Sequence, residues 1–180
     1  MKRSLIKFSI FISILIGAPA VYCQDTPDAV REKTRERLGA LLKREGPGIK
    51  VDFRQSEKNP FNFIGVMKEG LKNAESMEIV IMVSKRDTIG FRIFPHYKGG
   101  YINIDKVRNT TQLLRQLVQF NEKTFLFWGA DDTGDVFTGY TFTLESGFPD
   151  DAIKIVLASI KNSDQFVGEM KPSIDGTTTP

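Results

Sequence analysis

Cysteine is almost missing from this chain: Cys23 is the single example in 180 residues, so no disulfide forms within it whatever its redox surroundings. Histidine and tryptophan are as scarce, with His96 and Trp128 alone. A zinc centre on His96 would have to recruit only carboxylates, an unusual donor set. No G-x-S-x-G marks an activated serine. Gly99-Gly100 leads into a strand and lacks the G-x-x-x-x-G-K-[ST] pattern of a phosphate-cradling loop. The apolar run Phe8 to Gly17 is shorter than the roughly 20 residues a membrane-spanning helix needs. These absences leave no nominee for catalysis, for a metal or for a cofactor.

What is present begins with an address. Lys2, Arg3 and Lys7 precede that apolar run, and APAVYC follows it. A basic start, an apolar middle and a small-residue end are the layout of a secretory signal over residues 1–23. Export to the periplasm or medium is the expectation. Membrane contact would follow only from an uncleaved signal or a lipid on Cys23. Three of the 25 Lys and Arg lie in this segment, leaving 22 cations against 22 anions in the remainder. A mature surface near neutrality lacks the basic stripe of a nucleic-acid binder.

Residues 25–170 suit one domain with one core. The stretch DTPDAVREKTRERLGALLKREGPG carries a capping Asp25 or Thr26, Pro27 at the first turn, and a Gly-Pro-Gly stop. Val30, Leu38, Leu41 and Leu42 share its inner face, with Thr34 between turns. The period then falls to two. IKVDFRQ, FNFIGVM, MEIVIMVS, TIGFRIF and YINID read as short strands joined by tight turns. A second helix begins at Asn109 or Thr110 and places Leu113, Leu114, Leu117, Val118 and Phe120 in an apolar stripe. Asn109-Thr110-Thr111 also spells a glycosylation triplet, although a helix cap is its better reading. Two strands, TFLFWGA and VFTGYTFTL, precede a last helix near Pro149 with Asp150 and Asp151 in its first turn. Ile153, Val156, Leu157 and Ile160 form its buried face. Residues 171–180 read as a polar, unstructured tail. The pattern predicts an α+β fold, an antiparallel sheet of about five strands flanked by three helices, in the order α-β-β-β-α-β-β-α.

The segment LLRQLVQFNEKTFLFWGADDTGDVFTGYTFTLESGFPDDAIKIVL resembles the bacterial sensory-transduction-regulator (YbjN-like) family. The resemblance rests on a helix ending in Phe120-Asn121, a hairpin with a Gly134-Asp135 tip, an aromatic second strand, and Gly147-Phe148-Pro149 before the final helix. It implies a fold like that of the type III secretion chaperones, and a partner-binding or chaperone-like role without catalysis.

Asp131, Asp132 and Asp135 crowd one hairpin. Counted from Asp131, the twelfth position of a calcium loop is Phe142, where a bidentate Glu belongs. Asp and Gly are also what a tight turn demands, so the hairpin tip is the expected reading. The 14 Phe are the remaining signal. Strand alternation gives Phe125 and Phe127 one face, and sends Phe137 and Phe142 to opposite faces. Trp128 falls opposite Phe127. Two apolar sheet faces mean either helices on both sides or one open patch that meets a partner. The expected function is therefore binding of another polypeptide, or of a second copy as a homodimer, through a sheet face or an edge strand. The alternative is a small-ligand sensor or carrier with a pocket between sheet and helices. Phe94, His96, Tyr97, Tyr101 and Trp128 are the binding residues nominated for either case.

Overall fold

A computed structural model describes residues 26–176; the signal-like segment and the last four residues lie outside the described residues. Helix α1 spans Pro27–Glu45, with the Thr26 hydroxyl accepting from the Ala29 N–H at 3.3 Å. Leu38, Leu41 and Leu42 are buried to the last few per cent, whereas Val30 stands exposed at the open end of the helix. Thr34 is buried and satisfies its hydroxyl on the Val30 carbonyl.

A 3-10 turn, Gly46–Ile49, and a left-handed Lys50 follow. They consume most of the stretch read as a first strand, because Val51 is drawn into the core with its N–H on the Gly46 carbonyl. Only Arg54–Gln55 pairs, as β1. The remaining elements are β2 Asn62–Met67, β3 Ser76–Val83, β4 Thr88–Tyr97, β5 Gly100–Tyr101, α2 Thr110–Lys123, β6 Phe127–Ala130, β7 Val136–Thr143, α3 Asp150–Ser159 and α4 Asp164–Asp175. The sheet is antiparallel throughout, in the order β1-β2-β3-β4-β7-β6, with β5 on the end of β4. The α+β class holds. The five full strands are β2, β3, β4, β7 and β6, and of the segments IKVDFRQ and YINID only the two-residue β1 and β5 pair as strands.

Helix α4 corrects the reading of the tail, at least as far as Asp175. Polar residues without a period suggested no structure, yet Ser173 is buried and the helix runs on to Asp175. The final carbonyls of α4 accept from the Arg108 and Asn109 N–H groups, and Ser173 donates to Gln116 at 2.7 Å. These bonds satisfy a helix end that composition alone left open.

Alternation divides the strands into two sides. Met77, Ile79, Ile81 and Val83 of β3, Ile89, Phe91 and Ile93 of β4, and Val136 and Phe142 of β7 join one buried cluster. Residues from all four helices complete it, including Leu38, Leu113, Phe120, Ile153, Val167 and Met170. Each fully buried side chain of this size contributes about 1.5–3 kcal/mol. Asp164 locks the cluster shut: its carboxylate accepts from the N–H groups of Lys72, Asn73 and Ala74 at 2.7–3.1 Å. Asn109 caps α2, accepting from the Gln112 N–H at 3.0 Å. Leu114 and Val118, placed in the α2 stripe by spacing, point outward instead, Val118 at 72 % exposure.

Candidate interaction surface

Strand residues of the other parity form a face whose members stand apart from the main cluster. Register sets out one row across it: Ile64, Val80, Arg92, Gly139 and Phe127. The next row carries Val66, Glu78, Phe94, Phe137 and Gly129, with the Phe94 and Phe137 rings 5.7 Å apart. Val66 and Phe127 are about 40 % exposed. Phe137 is only 6 % exposed, yet it lies outside the main core cluster. It is buried by its own neighbours on this face. The face is an apolar field with three charges, Glu78 and Arg92 in its middle and Arg54 at the β1 edge.

Glycine shapes the middle of that field. A Cβ on Gly139 would stand 2.2 Å from the Phe91 carbonyl oxygen, so the strands approach there only without a side chain. Phe127 lies opposite Gly139, and Phe137 opposite Gly129. The two rings fill the space those glycines leave. The Arg92 guanidinium sits 4.6 Å from the Phe137 ring centroid, an arrangement that favours the cation over the ring face. Glu78 turns the other way and accepts from the Tyr101 hydroxyl at 3.0 Å. Burial, and then the Glu78 carboxylate, push the Tyr101 phenol up to about 12. Among the described residues neither Arg92 nor Glu78 has an oppositely charged group within 4.0 Å.

The five nominated residues separate. Phe94, His96 and Tyr101 meet on the outer face, with His96 and Tyr101 rings 4.4 Å apart and Phe94 and Tyr101 5.7 Å apart. Tyr97 has the opposite parity and donates its hydroxyl to Asp175 of α4 at 2.9 Å. Trp128 is in the core, edge-on to Phe120 and Phe166. Residues on two sides of a sheet cannot line one cavity, so the pocket drawn from these five is not formed. A cleft of about 320 Å³ opens elsewhere, beside Ile49, Lys50, Met67, Glu69, Leu157 and Lys161. Sequence reasoning passed over Arg92, Glu78, Val66 and Val80. Their signal was the alternation in MEIVIMVS and TIGFRIF, where Glu78 and Arg92 are the charges on one parity. Phe125 was paired with Phe127, but it precedes the strand and its ring reaches Tyr140.

The aspartates close a turn. One carboxylate oxygen of Asp131 accepts from the Thr133 N–H, the Thr133 hydroxyl and the Asp135 N–H at 2.8–3.0 Å. Gly134 takes φ +80°, a conformation glycine adopts without strain. Burial pushes the Asp131 carboxyl up, but the Thr133 and Asp135 bonds and the charge of Arg92 outweigh it and hold it below its ordinary value. Among the described residues no three of His, Cys, Asp and Glu gather as metal ligands would.

The sheet edge at β6 is occupied from within. Asn121 of α2 accepts from the Trp128 N–H at 2.5 Å, and its amide nitrogen lies 3.4 Å from the Trp128 carbonyl oxygen. The carboxamide takes the place of a neighbouring peptide. Thr124 likewise receives the Leu126 N–H. At the far edge, β1 is two residues long. Short and capped edges resist pairing with another strand, so the open surface is the face.

The molecule is thus an α+β domain with helices on one side of its sheet and an uncovered aromatic side. No family model matches the chain, and no curated protein does. Its fold is similar to a chain in the crystal structure of the ExsC-ExsE complex, at 16% identity and a TM-score of 0.41, covering 82% of this chain and 96% of that one. Among the described residues no helix is long and apolar enough to cross a membrane.

Proposed function

We propose that this protein is an exported, non-enzymatic module of the YbjN-like kind that binds another polypeptide through the outer face of its sheet. The observation that carries the reading is the segregation of the helices. All four supply the core on one side, while Val66, Val80, Phe94, Phe127 and Phe137 form an apolar field on the other. Aromatic and aliphatic groups around an arginine are the composition of a protein–protein contact centre. The sealed β6 edge argues for the face over strand addition. Export rests on the basic-then-apolar layout of residues 1–23. No observation favours the ligand-carrier alternative, since its five lining residues face opposite ways.

The test is a paired substitution at exposed positions, Val66→Lys with Phe127→Lys, against the control Ile155→Lys on α3, an exposed site away from the sheet. Mild crosslinking of cell envelopes, followed by purification, is expected to retain a polypeptide partner with wild type and with the control. The paired variant is expected to lose it while still unfolding in one cooperative urea transition, lowered by no more than the loss of the Phe127 ring contacts, about 1–2 kcal/mol. Equal retention by all three contradicts the reading.

A further inference from the structure

We propose that the protein carries a second binding site, for a medium-chain alkyl carboxylate, in the cleft between the Gly46–Ile49 turn, the end of β2 and the end of α3. It is separate from the outer face and from the aromatic pocket that the five nominated residues do not form. Polarity along the cleft carries the inference. Ile49, Met67, Leu157 and Ala158 line about 320 Å³ at one end, a volume at the lower end of the range that small ligands occupy. A polar cleft lined by Lys72, Asn73, Asn162 and Gln165 shares Gly70 and Lys161 with it. Lys161, in the 3-10 turn Ile160–Ser163 between α3 and α4, therefore stands where the apolar end gives way to the polar one.

Gly70 leaves room for the cation there. It takes φ +75°, and a Cβ on it would lie 2.8 Å from the Lys161 Nζ, so the ammonium rests over bare backbone. Most other charges of the two clefts are already engaged. Glu69 holds Lys50 at 2.5 Å, and the buried Asp164 carboxylate accepts from the N–H groups of residues 72–74. Among the described residues no carboxylate lies within 4.0 Å of the Lys161 or Lys72 ammonium. Three lysines thus face two carboxylates, both of them occupied. An occupant with an apolar chain and one anionic end satisfies both halves: the chain covers Ile49 and Ala158, and the carboxylate meets Lys161. A cationic occupant would set like charges together, and a neutral one would cover apolar surface while leaving Lys161 unmatched.

Calorimetric titration of the exported chain with straight-chain carboxylates tests this. Octanoate is expected to saturate one site with a dissociation constant on the order of 100 µM. Each methylene removed, through hexanoate to butyrate, is expected to weaken binding about threefold to fourfold. Octylammonium is expected to bind about tenfold more weakly than octanoate. Lys161→Glu is expected to reverse that preference, while Lys85→Glu, exposed in the turn between β3 and β4, leaves it unchanged. Ala158→Phe, also at an exposed position, fills the cleft and is expected to abolish octanoate binding. Urea midpoints establish that each variant folds; should Ala158→Phe fail to fold, Ala158→Met replaces it, with binding weakened about tenfold. A chain that takes up no octanoate at about 5 mM, that prefers octylammonium, or that binds octanoate equally after Lys161→Glu and Ala158→Phe overturns the inference. The outer-face pair, Val66→Lys with Phe127→Lys, is expected to bind octanoate as wild type does. Loss of octanoate binding in that pair would place the alkyl chain on the sheet and overturn the cleft.

Discussion

Phe127 and Phe137 meet edge to face across β6 and β7, their centroids 5.6 Å apart and their planes at 89°. Each lies opposite a glycine of the other strand, so the pair builds a platform that neither ring makes alone. Their burial differs: Phe137 is the enclosed member and Phe127 the exposed one. Phe137→Ala is expected to cost about 3–5 kcal/mol in urea unfolding, and Phe127→Ala only about 1–2 kcal/mol. A double-mutant cycle should show coupling of about 0.5–1.5 kcal/mol. Additive losses would mean that the rings do not support each other.

Asp164 is a second test of how the domain is held. Its carboxylate receives three backbone N–H groups and the Asn73 amide. Asp164→Ala leaves those donors unpaired under α4, and about 3 kcal/mol or more of stability should be lost. Asp28→Ala, on the exposed first turn of α1, should change the urea midpoint little.

The dependence on pH has a definite sign. Asp131 is held below its ordinary value of 3.8 in the folded chain, so the unfolded state binds a proton first as pH falls. The stabilisation it gives is present above pH 3.8 and is lost as pH drops through the folded value. Asp175, lowered by Lys98 and then by the Tyr97 hydroxyl, acts in the same direction. Asp131→Asn should flatten the fall of the melting temperature below that pH. Parallel curves for variant and wild type would contradict the turn network.

Among the described residues the buried Trp128 indole N–H meets no acceptor, a standing cost in an apolar setting. Trp128→Phe keeps the ring contacts with Phe120 and Phe166 and removes the orphaned donor. The expected change in stability is under about 1.5 kcal/mol, against about 3–5 kcal/mol for Trp128→Ala. As the sole tryptophan, it should emit at short wavelength in the native state and shift red on unfolding.

Asn121 guards the β6 edge. Asn121→Leu removes both contacts to the Trp128 backbone and should promote slow, concentration-dependent assembly that binds thioflavin T. An Asn121→Leu protein as soluble as wild type would show that the edge needs no cover.

The sequence disclosed some layers better than others, for physical reasons. Alternation in MEIVIMVS and TIGFRIF set out both strands, because a buried core on one side enforces period two. The caps at Thr26 and Asn109 were legible since their side chains bond within three residues. Strand Ile49–Gln55 was overestimated because tertiary burial of Val51 bent its first half into a turn. The last turns of α4 were missed because their stabilising bonds come from Arg108 and Asn109, more than 60 positions away. The site was half legible. Phe94, His96 and Tyr101 belong together, but parity alone would have excluded Tyr97 from their face. Trp128 drew attention as a rarity, and a rare residue is as much at home in a core as on a surface. Glu78 and Arg92 were overlooked because a charge within a strand reads as solvation until its neighbours are known.

The central claim is that the uncovered side of the sheet is the working surface. A photo-crosslinking residue placed at Phe127, and in a second variant at Ile155 on α3, tests it in intact cells. Adducts to a polypeptide at position 127, running at twice the chain mass where the partner is a second copy, with none at 155, are the expected result. Equal labelling at both positions, or none at 127, would contradict it.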